Sequence, residues 1–326
     1  MPKAIRFHTV GGPEVLQWEE VSVGDPGPGE ARVRHYAVGL NFVDVYFRTG
    51  AYPVPSYPWV IGVEGAGVVE AVGAEVSNVK PGDRVGYGTP PIGSYCEVRN
   101  MPADQLVRLP GGISFEQAAA MMVAGMTVQY LIKRTYKVQP GDTVVWHAVA
   151  GGVGLIACQW LAALGVTTIG TVGSDEKVQI AKAHGCHQVI NYNRENFRDR
   201  VMEITGGAGV PVVYDSVGKD TFERSIDCLR PLGMMVVYGL ASGPVPPLDV
   251  ERVLFRKGSL FLTRPSLTQY AAKREDLVAI AGDLFDIVLS GKVKAEARHR
   301  YPLSEAAQAH RDLEARKTTG SVLLIP

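Results

Sequence analysis

Residues able to hold a phosphate stand near the middle of the chain. They read Ala148-Val149-Ala150-Gly151-Gly152-Val153-Gly154, after the apolar run Val144-Val145-Trp146-His147 and before Leu155-Ile156-Ala157-Cys158-Gln159-Trp160-Leu161-Ala162. Strand, glycine-rich turn and helix in that order make a dinucleotide-binding turn. Glycines let the backbone approach a pyrophosphate, and the helix start offers N–H groups and a positive dipole end. Gly151, Gly152 and Val153 are the candidate backbone donors. The spacing is Ala-x-x-Gly-x-x-Gly, short of a full G-x-G-x-x-G, and glycines at such turns also serve packing alone.

A second apolar run, Val166-Thr167-Thr168-Ile169-Gly170-Thr171-Val172, follows the helix. Its end falls about 20 residues beyond Gly154, where NAD-binding folds set an acid on the ribose 2′-hydroxyl. Here the residues are Gly173-Ser174-Asp175-Glu176-Lys177. Gly173 leaves room, Ser174 can donate a hydrogen bond and Lys177 can pair with a phosphate. That set suits the 2′-phosphate of NADP, and an acid in place of Gly173 would favour NAD. Asp175 and Glu176 fit the first turn of the next helix, where the dipole favours acids. Lys177 also reads as a solvated helix lysine.

The elements that must carry these residues show in the pattern. Up to residue 123 the chain is β-rich, with runs such as 31–38 and 66–72 broken by turn signals at 25–30 and 80–85. From 124 the texture changes to alternating strands and helices, the mark of βαβ units on a parallel sheet. Strands are expected at 143–148, 166–172, 188–191, 211–215, 233–239 and 258–263, with helices such as 175–184 and 220–230 between them. Six strands complete a doubly wound Rossmann-type fold. A helix over 274–290 and a last strand at 321–325 read as a return to the first domain. The expected division is 1–123 completed by 268–326, and 124–267 for the nucleotide.

Composition bounds the partners. The chain has 326 residues, 46% of them hydrophobic, and formal net charge +0. That length and composition suit two soluble domains. Neutral charge gives no electrostatic case for nucleic acid or an anionic membrane. No apolar run approaches the roughly 20 residues that span a bilayer. Cys96, Cys158, Cys186 and Cys228 are scattered without a CxxC pair, which suggests neither a disulfide framework nor a clustered zinc site. With no signal-like apolar core at the N-terminus, a reducing cytoplasm is the expectation.

From end to end the chain resembles a medium-chain dehydrogenase/reductase, and more narrowly the bacterial NADPH:quinone oxidoreductases of the zeta-crystallin type. The residues carrying this are Gly62-Val63-Glu64-Gly65-Ala66-Gly67-Val68-Val69, Lys80-Pro81-Gly82-Asp83-Arg84-Val85, the turn 148–154, Val213-Tyr214-Asp215-Ser216-Val217-Gly218 and the segment 258–267. The resemblance implies a GroES-like β-rich catalytic domain beside the Rossmann domain. It also implies NADPH as cofactor, a quinone bound between the domains, and a homodimer paired through strand 258–263, an apolar edge that must be covered.

Departures from the zinc branch matter as much. Zinc members open the segment Asn41-Phe42-Val43-Asp44 with a Cys and place a proton-relaying Ser or Thr at Val43 and a His at Val63. The Cys-rich lobe after Arg84-Val85 is also missing. A catalytic zinc needs about three ligands, so no metal is expected. A substrate reduced without a Lewis acid must accept hydride readily, as quinones do.

By resemblance, Asn41 can bond a carbonyl, the nicotinamide or its ribose, and Phe42 and Asp44 adjoin the cofactor. Asn41 also reads as a turn residue, and Asp44 as one that holds the loop. Tyr46 and Tyr52 would line a quinone pocket, or be ordinary half-buried aromatics. Thr127 and Tyr130 would border the nicotinamide, with helix packing the alternative. The resemblance adds Tyr192, Ser216, Tyr238-Gly239-Leu240-Ala241, Thr263, Arg264, Ser266 and Arg316 to the cofactor contacts, several of them at strand ends where this fold binds ligands. His147 reads as structural. Asn41, Tyr46, Tyr52 and Thr127 are the catalytic candidates. An alkenal or enone reductase is the competing enzyme. An RNA-binding or crystallin-like role stands against the neutral charge.

Overall fold

The computed structural model describes all 326 residues. They divide into one unit of Met1–Thr127, Tyr270–Gly291 and Ala295–Pro326, and another of Val128–Gln269 with Lys292–Lys294.

The first unit opens with β1 (Lys3–Phe7), β2 (Gln17–Glu20), β3 (Glu30–Leu40), α1 (Phe42–Arg48), β4 (Trp59–Val60), β5 (Glu64–Val72), β6 (Arg84–Tyr87), β7 (Val98–Pro102) and β8 (Val107–Arg108). β3 shows why it is a strand. Ala31, Val33, His35 and Ala37 are buried while Arg34 and Tyr36 are exposed, the period of two that puts one face inward. Its inner face packs with Val69, Val85, Met101 and Leu106. Its far end, Val38 and Leu40, joins Ile5, Phe7, Ile61 and Tyr95. α2 (Phe115–Ala119) is capped by Ser114, whose hydroxyl accepts the Gln117 N–H, and α3 (Met122–Tyr130) follows.

The second unit alternates β9 (Thr143–Trp146), α4 (Gly152–Ala163), β10 (Thr167–Val172), α5 (Asp175–Ala183), β11 (Gln188–Asn191), α6 (Phe197–Ile204), β12 (Val210–Asp215), α7 (Phe222–Ile226), β13 (Leu229–Val237) and β14 (Phe261–Thr263), then α8 (Leu267–Tyr270). Its strands are all parallel, in the order β11-β10-β9-β12-β13-β14. This is the doubly wound order, whose direction reverses between β9 and β12. The central strands are covered on both faces, and Val145, Val213 and Met235 are fully buried.

Two expected elements are shorter by three residues or more. The helix expected over 220–230 ends at Ile226, because β13 begins at Leu229 by pairing with Val210. The strand expected from 258 starts at Phe261. Gly258 and Ser259 have φ of 115° and 54°, outside any extended conformation.

The chain then returns to the first unit with α9 (Arg274–Leu289), β15 (Ala297–Pro302), α10 (Ala306–Glu314) and β16 (Ser321–Ile325). β16 pairs antiparallel with β3, completing a seven-stranded sheet. No helix is long and apolar enough to cross a membrane.

Candidate functional site

In the second unit the glycine turn leaves β9 and enters α4. Ala148 takes φ 57°, a conformation glycine adopts without cost. The incomplete glycine pattern thus hides a complete glycine-like backbone. A Cβ on Gly154 would lie 2.5 Å from the Ala148 carbonyl oxygen, so close packing of helix on turn fixes that glycine. A Cβ on Gly151 would meet only that same oxygen at 3.4 Å. Gly151 is the N-cap of α4 and no side chain caps it, so the leading N–H groups of this helix are left for an anion. Gly151, Gly152 and Val153 are all partly exposed.

At the end of β10, Ser174 caps α5 and accepts the Lys177 N–H at 3.4 Å. The Asn193 amide donates to the Gly173 carbonyl at 2.7 Å. Asp175 is engaged by Arg194 and by the Asn191 amide, so this acid is turned into the protein's own network. A Cβ on Gly173 would stand 2.5 Å from the Tyr192 hydroxyl. An acid in place of Gly173 therefore enters only if Tyr192 moves.

Strand ends supply the rest of this face. Ala241 N–H donates to the Ser216 carbonyl at 3.1 Å, bringing Ser216 beside Gly239, Leu240 and Ala241. Tyr238 receives the Trp146 indole N–H at 2.8 Å. Thr263 ends β14, and Arg264 and Ser266 follow exposed. His147 is fully buried between the Thr171 and Ser225 hydroxyls, at 2.8 Å from each, a structural histidine. Tyr130 is 2% exposed, which favours the packing reading, and Thr127 is 8% exposed.

In the first unit the loop before α1 gathers the other candidates. Phe42, Tyr46 and Tyr52 form an edge-to-face aromatic row, with centroids 5.6 and 5.2 Å apart. All three are partly exposed. Asn41 is held twice. Its main-chain N–H donates to Asp44 Oδ2 at 2.9 Å, and its amide donates to Glu64 Oε2 at 2.7 Å. Glu64 Oε1 accepts the Val123 N–H at the start of α3, also at 2.7 Å. Burial pushes the Glu64 carboxyl up to about 8.

Asp44 is 0% exposed, which favours the loop-holding reading over a cofactor contact. Its carboxyl holds the loop, and burial raises it to about 7. Behind it runs a chain that sequence reading missed. The Tyr95 hydroxyl donates to Asp44 at 2.9 Å. His310 Nε2, 3.2 Å away, must therefore donate to Tyr95, which leaves Nδ1 to accept the Arg48 guanidinium at 2.9 Å. Burial keeps this imidazole neutral, down to about 3. Arg48 closes on Glu314 through two bonds of 2.6 and 2.8 Å. Arginine has no acceptor, so the chain orients Asp44 but cannot pass a proton beyond His310. Arg316 lies just past α10, exposed, with φ 59°.

Residues 27–111 match the model of the alcohol dehydrogenase GroES-like domain, and residues 152–276 match that of the zinc-binding dehydrogenases. The chain is 52% identical to a quinone oxidoreductase of Pseudomonas aeruginosa over all of both chains. It superposes on the Escherichia coli quinone oxidoreductase solved in complex with NADPH with a TM-score of 0.97 at 49% identity, covering 99% of this chain and 100% of that one. It is also 46% identical to a 2-haloacrylate reductase of Burkholderia, over 100% of this chain and 99% of that one.

The zinc in the second description does not fit the residues present. Asn41 and Val63 are not ligands, Glu64 is committed to amide and main-chain N–H groups, and no three His, Cys, Asp or Glu side chains come together to hold a metal. With both domain models matched in order and near-half identity along the whole length, the chain belongs to the medium-chain dehydrogenase/reductase superfamily, within its quinone oxidoreductase branch.

Proposed function

We propose that this chain is a zinc-independent NADPH:quinone oxidoreductase. The observation that carries the reading is the whole-length match to quinone oxidoreductases, one of them solved with NADPH. NADPH supplies the hydride when bound. The turn residues Gly151, Gly152 and Val153 hold its pyrophosphate by backbone N–H groups. Ser174 and Lys177 take the 2′-phosphate, with the Tyr192 hydroxyl occupying the space beside Gly173. Ser216, Tyr238 to Ala241, Thr263, Arg264 and Ser266 line the strand ends. Asn41, Phe42, Thr127 and Arg316 complete the cofactor set.

Hydride arriving at a quinone places negative charge on a carbonyl oxygen. A hydrogen-bond donor at that oxygen is what the chain can add, and the Asn41 amide is the candidate. Tyr46 and Tyr52 offer ring faces and hydroxyls to the flat substrate. The reading is tested by NADPH oxidation across a panel of 1,4-quinones. Turnover with several of them is expected, and none at all overturns it.

A 2-alkenal or enone reductase is the second reading, favoured by the match to a 2-haloacrylate reductase. Faster turnover of 2-alkenals than of quinones would replace the first reading.

We also infer a homodimer in the cytoplasm. β14 is the sheet's edge, with Phe261 and Leu262 exposed at 55% and 37%, an apolar edge of the kind proteins cover. The four cysteines are free and buried, which suits a reducing compartment. Sedimentation should give a dimer at micromolar concentration, and a 35.1 kDa species would count against it.

A further inference from the structure

Glu64 is 2% exposed and both its oxygens are spoken for. Oε1 faces the start of α3, where the Val123 N–H, with that of Met122 beside it, always donates. Any proton on this carboxyl therefore sits on Oε2, 2.7 Å from the Asn41 amide. A carboxyl O–H and an amide NH2 cannot face each other, because both are donors. The planar amide resolves the conflict by turning over, since its two ends have the same shape. The Asn41 side chain also faces the Asp44 N–H in the capping box of α1, and the turn gives up that contact, but the Asp44 N–H keeps a main-chain partner. The Asn41 N–H to Asp44 bond and the Asp44 N–H to Asn41 carbonyl bond of 3.0 Å both use the Asn41 main chain.

We propose that Glu64 sets the polarity of Asn41: protonated, it turns the amide NH2 toward the substrate, and ionised, it turns the amide oxygen there. Glu64 is then a positioning residue, acting through Asn41. The inference rests on the quinone reductase reading. A quinone oxygen gaining charge needs a donor, so the protonated form of Glu64 is the productive one. A ribose hydroxyl both donates and accepts, so cofactor binding is indifferent to the turn.

The groups facing Glu64 set the window in which this operates. Asp44 on α1 raises it further when negative, adding to burial, which brings it to about 8. Tyr87 on β6 and Tyr95 are held neutral by burial, and the His35 imidazole bonded to Tyr87 is neutral as well. Arg48 lies beyond Tyr95.

The test is kcat/KM for 1,4-benzoquinone from about pH 6 to 10, in the wild type and in Glu64→Gln. For the wild type the value should fall about tenfold per unit above pH 8, while the KM for NADPH stays level. Glutamine must offer its oxygen to Val123 and its NH2 to Asn41, which fixes the donor-out amide at every pH. The alkaline fall should then disappear.

A second readout needs no turnover. With selectively labelled asparagine, the Asn41 side-chain NH2 signals should shift through about pH 8 in the wild type and stay fixed in the variant. An alkaline fall that persists in Glu64→Gln overturns the proposal. So do wild-type Asn41 signals that do not move, whether or not the variant folds. No turnover of any quinone would instead overturn the functional reading, with the spectroscopic arm still deciding the Glu64–Asn41 coupling.

Discussion

The candidate regions of the two units are built in opposite ways. The glycine turn is local and made of backbone: residues 148–154 present main-chain N–H groups at a helix start that no side chain caps. The polar cluster of the first unit is made of side chains drawn from the whole sequence, and its Arg48–Glu314 contact joins residues 266 positions apart. The first construction depends on conformation and tolerates most changes of side chain. The second depends on each partner, because a buried charge without its counterpart is costly. Stability and specificity should therefore respond to different mutations.

The largest expected effect lies in the cluster. Glu314→Ala leaves the Arg48 guanidinium, 1% exposed, without its counter-charge, and should cost about 3 kcal/mol in chemical denaturation. A loss below about 0.5 kcal/mol would show that the cluster is no more demanding than the turn.

Next comes Lys177→Ala. Loss of one charge-assisted bond to the 2′-phosphate should raise the KM for NADPH roughly 10- to 100-fold, with little change for NADH or for stability. Equal weakening of both cofactors, or a wild type that uses NADH as well as NADPH, would sink this assignment.

A third contrast is in pH. Burial raises Asp44 from 3.8 to about 7 and Glu64 from 4.5 to about 8. Folding therefore favours their protonated forms. Their contribution is full below the unfolded values and is lost as pH rises through the folded ones. The buried His35 and His310, lowered to about 4 and about 3, work in the opposite sense below about pH 6.5. Melting temperature should therefore decline from about pH 7 to 9, and Glu64→Gln should flatten that decline. A wild-type curve that rises over this range would contradict the burial argument.

The smallest effect is expected in the turn. Ala148→Gly relieves a left-handed alanine worth roughly 1–2 kcal/mol, against roughly 0.4–1 kcal/mol of added chain freedom when unfolded. A net gain under about 1 kcal/mol should appear in denaturation. A loss would mean that the Ala148 methyl packs favourably.

This division also explains what could be read in advance. The six parallel strands, the edge position of 261–263 and the return of 321–325 follow from periodicity and punctuation, which are local signals. The turn was legible for the same reason. Glu64 was visible only as part of a glycine-rich motif, and nothing near it in sequence announces Asn41 or Val123 as partners. His310 and Arg48 look like surface residues of amphipathic helices until the fold buries them. The ends of α7 and β14 differ from the expected ones because φ at Gly258 and Ser259 and the pairing of Leu229 are set by tertiary contact.

One contact in the parallel sheet has an optical consequence. Trp146 is fully buried, stacked 4.4 Å from Tyr214, and its indole N–H is bound to the Tyr238 hydroxyl at the carboxyl end of the sheet. Indole emission is sensitive to what its N–H touches. Any molecule that settles on those strand ends and draws the phenol aside changes the colour of this one chromophore. The protein thus carries its own dye, and Tyr238→Phe would blank it.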